Sequence, residues 1–211
     1  MKIHKIGHSC LVIEDAGSKI LIDPGNVTTD QNKEKNLDAV LITHVHPDHM
    51  DPDSIKTILK NNPNARIIAN LRSGKDLEKA GIDYEILKNG TTMILGSIIV
   101  EGFDSDHAPI YPGIEMVLNT GFYINHRFFH CGDSLTLPPK PVEILAMPVG
   151  APWATIGQSL DYAKAIKSKI ALPIHDGMLS YYGPFHFLPE KFLPETGTKF
   201  VPLKAGQDLE V

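Results

Sequence analysis

The stretch that decides the fold is Leu37-Asp38-Ala39-Val40-Leu41-Ile42-Thr43, which runs straight into His44-Val45-His46-Pro47-Asp48-His49. The first half is an apolar run of the kind that forms a strand buried on both faces. The second half places four metal-ligand side chains within six positions. Asp51-Pro52 then starts a helix, with Asp51 as N-cap and Pro52 in the first helical position. Ile55, Ile58 and Leu59 fall at i, i+3 and i+4, giving that helix one apolar stripe. A ligand-rich loop held between a strand and a helix is fixed by rigid elements on both sides.

Upstream, Lys2 to Ile6, Ser9 to Glu14 and Lys19 to Ile22 read as short strands, and Asp23-Pro24-Gly25 stops the third. Thr28 to Asn36 reads as loop. Downstream, strands are expected over Ala65 to Ala69, Met93 to Leu95, Ser97 to Phe103, Glu115 to Leu118, Phe122 to Asn125, Arg127 to Cys131, Glu143 to Met147 and Ile170 to Ile174. Helices are expected over Ser73 to Ala80 and Gln158 to Lys167. The segment from Met178 to Pro194, rich in Tyr, Phe and Pro, reads as an irregular wrap before a last strand near Lys199 to Leu203. Strands dominate and helices follow apolar strands. The pattern predicts an α+β chain of two packed sheets with helices outside, forming a single domain over residues 1–211 without a dividing linker.

Composition narrows the function classes. Hydrophobic residues make up 42% and charged residues 21%, a globular balance. The net charge of -5 and the lack of any Lys/Arg-rich run argue against nucleic acid as a partner. No apolar stretch is long enough to span a bilayer. The first residues lack the apolar block of a signal peptide, and Cys10 and Cys131 form no CxxC pattern. A reducing cytoplasm is therefore the expected location. Ten histidines are the unusual count.

Those histidines, and the aspartates with them, recur just past strand ends. His107 follows Ser97 to Phe103 by a few residues, Asp133 follows Arg127 to Cys131, and His175 follows Ile170 to Ile174. Strand ends at one edge of a sheet face a common crevice, so these loops can converge with the first. Imidazole and carboxylate groups bind zinc at roughly 2.0 to 2.2 Å. Seven such groups are too many for one ion that keeps an open position. They suit two divalent ions, typically about 3.5 to 4 Å apart, that share a carboxylate. Two divalent ions carry four positive charges, of which Asp48, Asp133 and a bridging hydroxide cancel three, so the site favours an anionic substrate.

The ordered set His44-x-His46-x-Asp48-His49, His107, Gly132-Asp133 and His175 resembles the metallo-β-lactamase superfamily. Gly7-His8-Ser9-Cys10 followed by Lys19-Ile20-Leu21-Ile22-Asp23-Pro24 resembles the start of its small metal-dependent hydrolases. That branch includes L-ascorbate-6-phosphate lactonase-like proteins and phospholipase D-type N-acyl phosphatidylethanolamine hydrolases. The resemblance implies a four-layer αβ/βα sandwich with a dinuclear site at one edge. It implies that His44, His46 and His107 hold one ion, that Asp48, His49 and His175 hold the other, and that Asp133 bridges both. Asp23 would support the histidine loop from behind, and His8 would lie near the site. Asp133 stands where true β-lactamases have a cysteine, which argues against an antibiotic-cleaving role. Ala151-Pro152-Trp153 stands where related small hydrolases carry a histidine.

The expected activity is hydrolysis by a metal-bridged hydroxide of a small anionic ester, lactone or phosphodiester, with Asp48 steering the proton of the attacking water. Zinc, manganese or iron all suit the nitrogen and oxygen donors. Arg127 and the Tyr181-Tyr182 to His186 segment are candidate substrate contacts. Two alternatives stand beside hydrolysis: a diiron redox protein of the same fold, which typically carries a carboxylate at the position of His46, and a non-catalytic ligand-binding member. The sequence is silent on oligomeric state.

Overall fold

The computed structural model describes residues 1–211. The first sheet contains β1 (Lys2–Gly7), β2 (Cys10–Asp15), β3 (Ser18–Ile22), β4 (Ala39–Ile42), β5 (Arg66–Ala69) and β6 (Glu85–Ile86) in sequence order. The second contains β7 (Thr92–Leu95), β8 (Ile98–Asp106), β9 (Leu118–Ile124), β10 (Phe128–His130), β11 (Ile144–Pro148), β12 (Ile170–Ile174) and β13 (Lys199–Phe200). The last strand, β14 (Asp208–Glu210), crosses back to pair with the outer side of β1. Each sheet then has the same pattern, three antiparallel pairings followed by three parallel ones. The helices α1 (Pro52–Asn61), α2 (Leu71–Lys79), α3 (Ile156–Ile166) and α4 (Gly183–Phe192) are the crossovers of the parallel parts.

Period-two alternation explains the layering. Ile20, Ile22 and Leu41 point into the core shared with Phe122, Phe128 and Leu145 of the second sheet. Their neighbours Leu21, Val40 and Ile42 point the other way, onto Ile55 and Ile58 of α1 and Leu77 of α2. Strands buried on both faces gain from each side, at roughly 1.5 to 3 kcal/mol per fully buried aliphatic side chain. The result is the αβ/βα sandwich that the resemblance implied. No helix is long and apolar enough to cross a membrane.

Several elements differ from the sequence expectation. Glu115 to Leu118 and Phe122 to Asn125 are not two strands; one strand runs Leu118–Ile124 through Gly121. That glycine allows close approach rather than a turn, since a Cβ there would lie 2.6 Å from the Phe129 ring. The Tyr- and Pro-rich segment is no irregular wrap but contains α4, with Pro189 inside it, followed by a 3-10 turn at Leu193–Thr196. A further 3-10 turn occupies Asp30–Lys33 in the expected loop, and β6 and β14 were not anticipated.

The two sheets are tied together at one edge by polar bonds. The Thr120 N–H of β9 donates to the Thr43 carbonyl just past β4, and the His175 N–H donates to the His8 carbonyl. His130 reaches the Ser9 carbonyl through Nε2. In the same region the backbone bends sharply. His8, Asp23 and His175 all take left-handed conformations directly after β1, β3 and β12. Such conformations cost on the order of 1 to 3 kcal/mol each for non-glycine residues and concentrate at functional sites. Gly25 makes the closest approach, because a Cβ there would sit 1.8 Å from the Asp48 carbonyl oxygen. Gly25→Ala is expected to push the ligand loop aside and to cost about 3 kcal/mol or more, as overpacking against backbone does. Thermal unfolding of the ion-free variant measures the loss.

Candidate metal centre

Every candidate ligand named from sequence lies at that tied edge. The loop after β4 supplies His44, His46, Asp48 and His49; the strand ends of β8, β10 and β12 supply His107, Asp133 and His175. Their donor atoms fall into two groups, each within 4.8 Å: His44, His46, His107 and Asp133 in one, and His8, Asp48, His49 and His175 in the other. Asp133 links them. Its Oδ2 lies 3.3 Å from His107 Nε2 and 3.0 Å from His175 Nε2, while Oδ1 lies 3.1 Å from His49 Nε2.

The protons on these rings follow from their outer partners. His49 Nδ1 donates to Asp23 Oδ2 at 2.7 Å, His107 Nδ1 to its neighbour's carbonyl at Ala108, and His175 Nδ1 to the Gly150 carbonyl at 2.9 Å. The Thr43 hydroxyl donates to Asp23 Oδ2 and accepts from His44 Nδ1 at 2.9 Å. Four imidazoles therefore hold a proton on Nδ1 and turn Nε2 inward. Outer partners of this kind orient metal-binding histidines and raise their basicity. His44 Nε2, His49 Nε2, His107 Nε2 and Asp133 Oδ1 are buried without a hydrogen-bond partner. Leaving a buried polar atom unpaired costs about 1 to 3 kcal/mol, so four such atoms facing one another fit a cation that completes them.

His8 has the opposite tautomer. Its Nδ1 accepts from the Gly177 N–H at 3.2 Å, so Nε2 carries the proton and donates to Asp48 Oδ2 at 3.1 Å. It is placed to hold the aspartate. Asp23, fully buried, takes three bonds, from the Thr43 N–H, the Thr43 hydroxyl and His49. Sequence reasoning missed Thr43 and the Gly150 carbonyl. A hydroxyl next to the first histidine was a visible signal, whereas a carbonyl contact between distant loops leaves none.

Without bound ions, the surrounding carboxylates favour the protonated form of two of these rings. Burial works against charge on His175, but the Asp133 carboxylate overrides it and pushes the ring up to about 9. Burial likewise opposes charge on His49, and Asp133 with Asp23 raise it well above the imidazole range. Asp133 itself is held far below the usual carboxylate range; burial would raise it, and His49 with His175 outweigh that. His44 goes the other way, lowered by burial and by the neighbouring His49.

Two substrate-contact expectations change. Arg127 lies before β10, at the end away from Asp133, and pairs with Glu143 at 3.0 Å. His186 is buried and faces Asp176 at 3.5 Å rather than any of the candidate ligands. Asp176 is in turn held by both oxygens on buried Lys5. Tyr181 and Tyr182 of that segment are exposed.

The arrangement of ligand loops agrees with the sequence comparison. The family described as Beta-lactamase superfamily domain matches residues 2–175. The chain belongs to the β-lactamase superfamily. Protein Rv0786c of Mycobacterium tuberculosis is 32% identical over 210 residues, covering 90% of this chain and 98% of that protein. A UPF0173 metal-dependent hydrolase of Staphylococcus carnosus is 27% identical, covering all of this chain and 99% of the relative. Among solved structures, the metallo hydrolase Igni18 from Ignicoccus hospitalis superposes with a TM-score of 0.74 at 20% identity, covering 99% of this chain and 97% of that one. This β-lactamase-superfamily chain has the metallo-β-lactamase fold, and relatives that span its length are named metal-dependent hydrolases.

Two outcomes test the geometry. Because the neighbouring carboxylates raise His175 to about 9 and His49 well above the imidazole range, ion uptake near neutral pH should release protons, and affinity should fall as pH drops below about 9. Titration calorimetry in buffers of different ionisation heat detects that release. Thr43→Val removes the hydroxyl between Asp23 and His44. It is expected to weaken ion binding roughly 10- to 100-fold with the fold retained, measured by competition with a chelator.

Proposed function

We propose that this chain is a dinuclear hydrolase of a small anionic ester, lactone or phosphodiester. His44, His46 and His107 would hold one ion, and Asp48, His49 and His175 the other, with Asp133 shared. The observation that carries the reading is the set of buried, unpartnered donor atoms, two groups of them joined through one carboxylate. Bound there, two divalent ions, zinc foremost with manganese or iron also suited, would supply an activated water as nucleophile and counter the negative charge that develops on the substrate.

The protein's own groups divide the remaining work. Asp133 and Asp23 are sealed from solvent, whereas Asp48 keeps a quarter of its side chain exposed. Asp48 is therefore the carboxylate with a route for protons, and, steadied by His8 at Oδ2, it would take one from the attacking water. Two divalent ions would bring four positive charges against the two candidate ligand carboxylates, Asp48 and Asp133, and one activated hydroxide, which leaves one in excess. The excess favours an anionic substrate. The acidic net charge and the absence of a basic run support a small molecule over nucleic acid, and a cytoplasmic location suits the two buried free cysteines. An imidazole at His46 favours hydrolysis over diiron redox chemistry.

Asp133→Ala and His46→Ala separate this reading from a chance cluster. Each variant is expected to bind fewer than two ions by elemental analysis. Each is also expected to lose turnover at least 1,000-fold on order-of-magnitude grounds, since the ions provide both nucleophile and charge stabilisation. The substrate screen pairs phosphodiesters, lactones and esters with zinc, manganese and iron. Full activity in either variant would sink the assignment.

A further inference from the structure

Trp153 lies in the loop between β11 and α3, almost completely buried against the centre. Its indole N–H donates to Asp133 Oδ2 at 2.8 Å. A buried indole needs an acceptor, but a carboxylate is a stronger one than the carbonyls that usually serve. The ring also meets one histidine from each candidate group edge-on. Its centroid is 5.8 Å from that of His107 at 71°, and 5.5 Å from that of His175 at 82°.

The loop that carries it is firmly anchored. Ala151 and Ala154 bridge across the tryptophan, and Thr155 with Gln158 forms a capping box that starts α3. The Gly150 carbonyl in the same loop takes the Nδ1 proton of His175. One short segment thus fixes a histidine of the second group and the carboxylate that both groups share.

The contacts of Asp133 sharpen the role. Oδ2 faces His175 Nε2, His107 Nε2 and, at 3.8 Å, His44 Nε2. All three nitrogens are candidate ligands, and a nitrogen that ligates an ion no longer donates to Oδ2. Oδ1 faces only His49 Nε2 and has no hydrogen bond. The Trp153 N–H is then the one donor to this carboxylate that ion binding does not remove.

We propose that Trp153 is a positioning residue for the shared carboxylate. Its N–H occupies one lone pair of Asp133 Oδ2, which fixes the direction of the other, and its ring sets the spacing of His107 and His175. The inference rests on the dinuclear reading above. It adds that the distribution of ions between the two groups depends on a residue that ligates neither.

The chain contains one tryptophan, so intrinsic emission reports on Trp153 alone. Two measurements test the proposal, both on protein stripped with a chelator and titrated with zinc or manganese. In the native chain, emission should change in step with ion uptake, because the hydrogen-bonded carboxylate changes partner. In Trp153→Phe, which keeps a ring but loses the donor, affinity for at least one ion should fall about 10- to 100-fold while circular dichroism stays native. Native-like affinity for both ions in that variant overturns the proposal and leaves the metal centre standing. If the variant does not fold, the native titration decides, and flat emission through saturation overturns the proposal. A native chain that takes up no ion overturns the dinuclear reading and this inference together.

Discussion

Asp23 is sealed from water, and it survives there because three protons point at it: the Thr43 amide, the Thr43 hydroxyl and His49 Nδ1. Each of those bonds also sets something else. The amide bond fixes the chain where β4 ends; the hydroxyl bond directs the Thr43 oxygen to accept from His44; the imidazole bond turns His49 Nε2 inward. Moving this carboxylate would release two histidines and the start of the ligand loop together. A buried carboxylate that is fully hydrogen-bonded specifies a single arrangement, and one left partly bonded would be costly.

The same logic extends outward by weaker links. His8 steadies Asp48, the Gly150 carbonyl steadies His175, and Asn119 receives the Asp133 amide while donating to the Cys131 carbonyl. Bonds between the two sheets, from Thr120 to Thr43 and from His175 to His8, keep these supports in register. The inner ring of the centre is thus rigid before any ion arrives, which is what a site with demanding coordination geometry requires.

Much of this was legible in the sequence, for a physical reason. His44 to His49 sit within six positions after an apolar strand, so their convergence needs no tertiary knowledge. His107, Asp133 and His175 were legible because each closely follows a strand and strand ends share an edge. The helix at Gly183–Phe192 was hidden by Pro184 and Pro189, whose missing amides read as breakers although the first turn and a buried flank tolerate them here. Arg127 looked available because sequence does not say which end of a strand faces the site. Trp153 and the Gly150 carbonyl act across 20 and 25 residues, through contacts that leave no periodic trace.

The matched sheets have a further consequence. His44, His46, Asp48 and His49 belong to the first sheet's connections, and His107, Asp133 and His175 to the second's. An ion pair seated among them would join segments far apart in the chain, as a disulfide does, while Cys10 and Cys131 remain free thiols. Closing so long a loop removes conformational freedom chiefly from the unfolded chain. The centre would then act as a reversible cross-link, and the chelating capacity of the surroundings would set how tightly the two halves of this fold are joined.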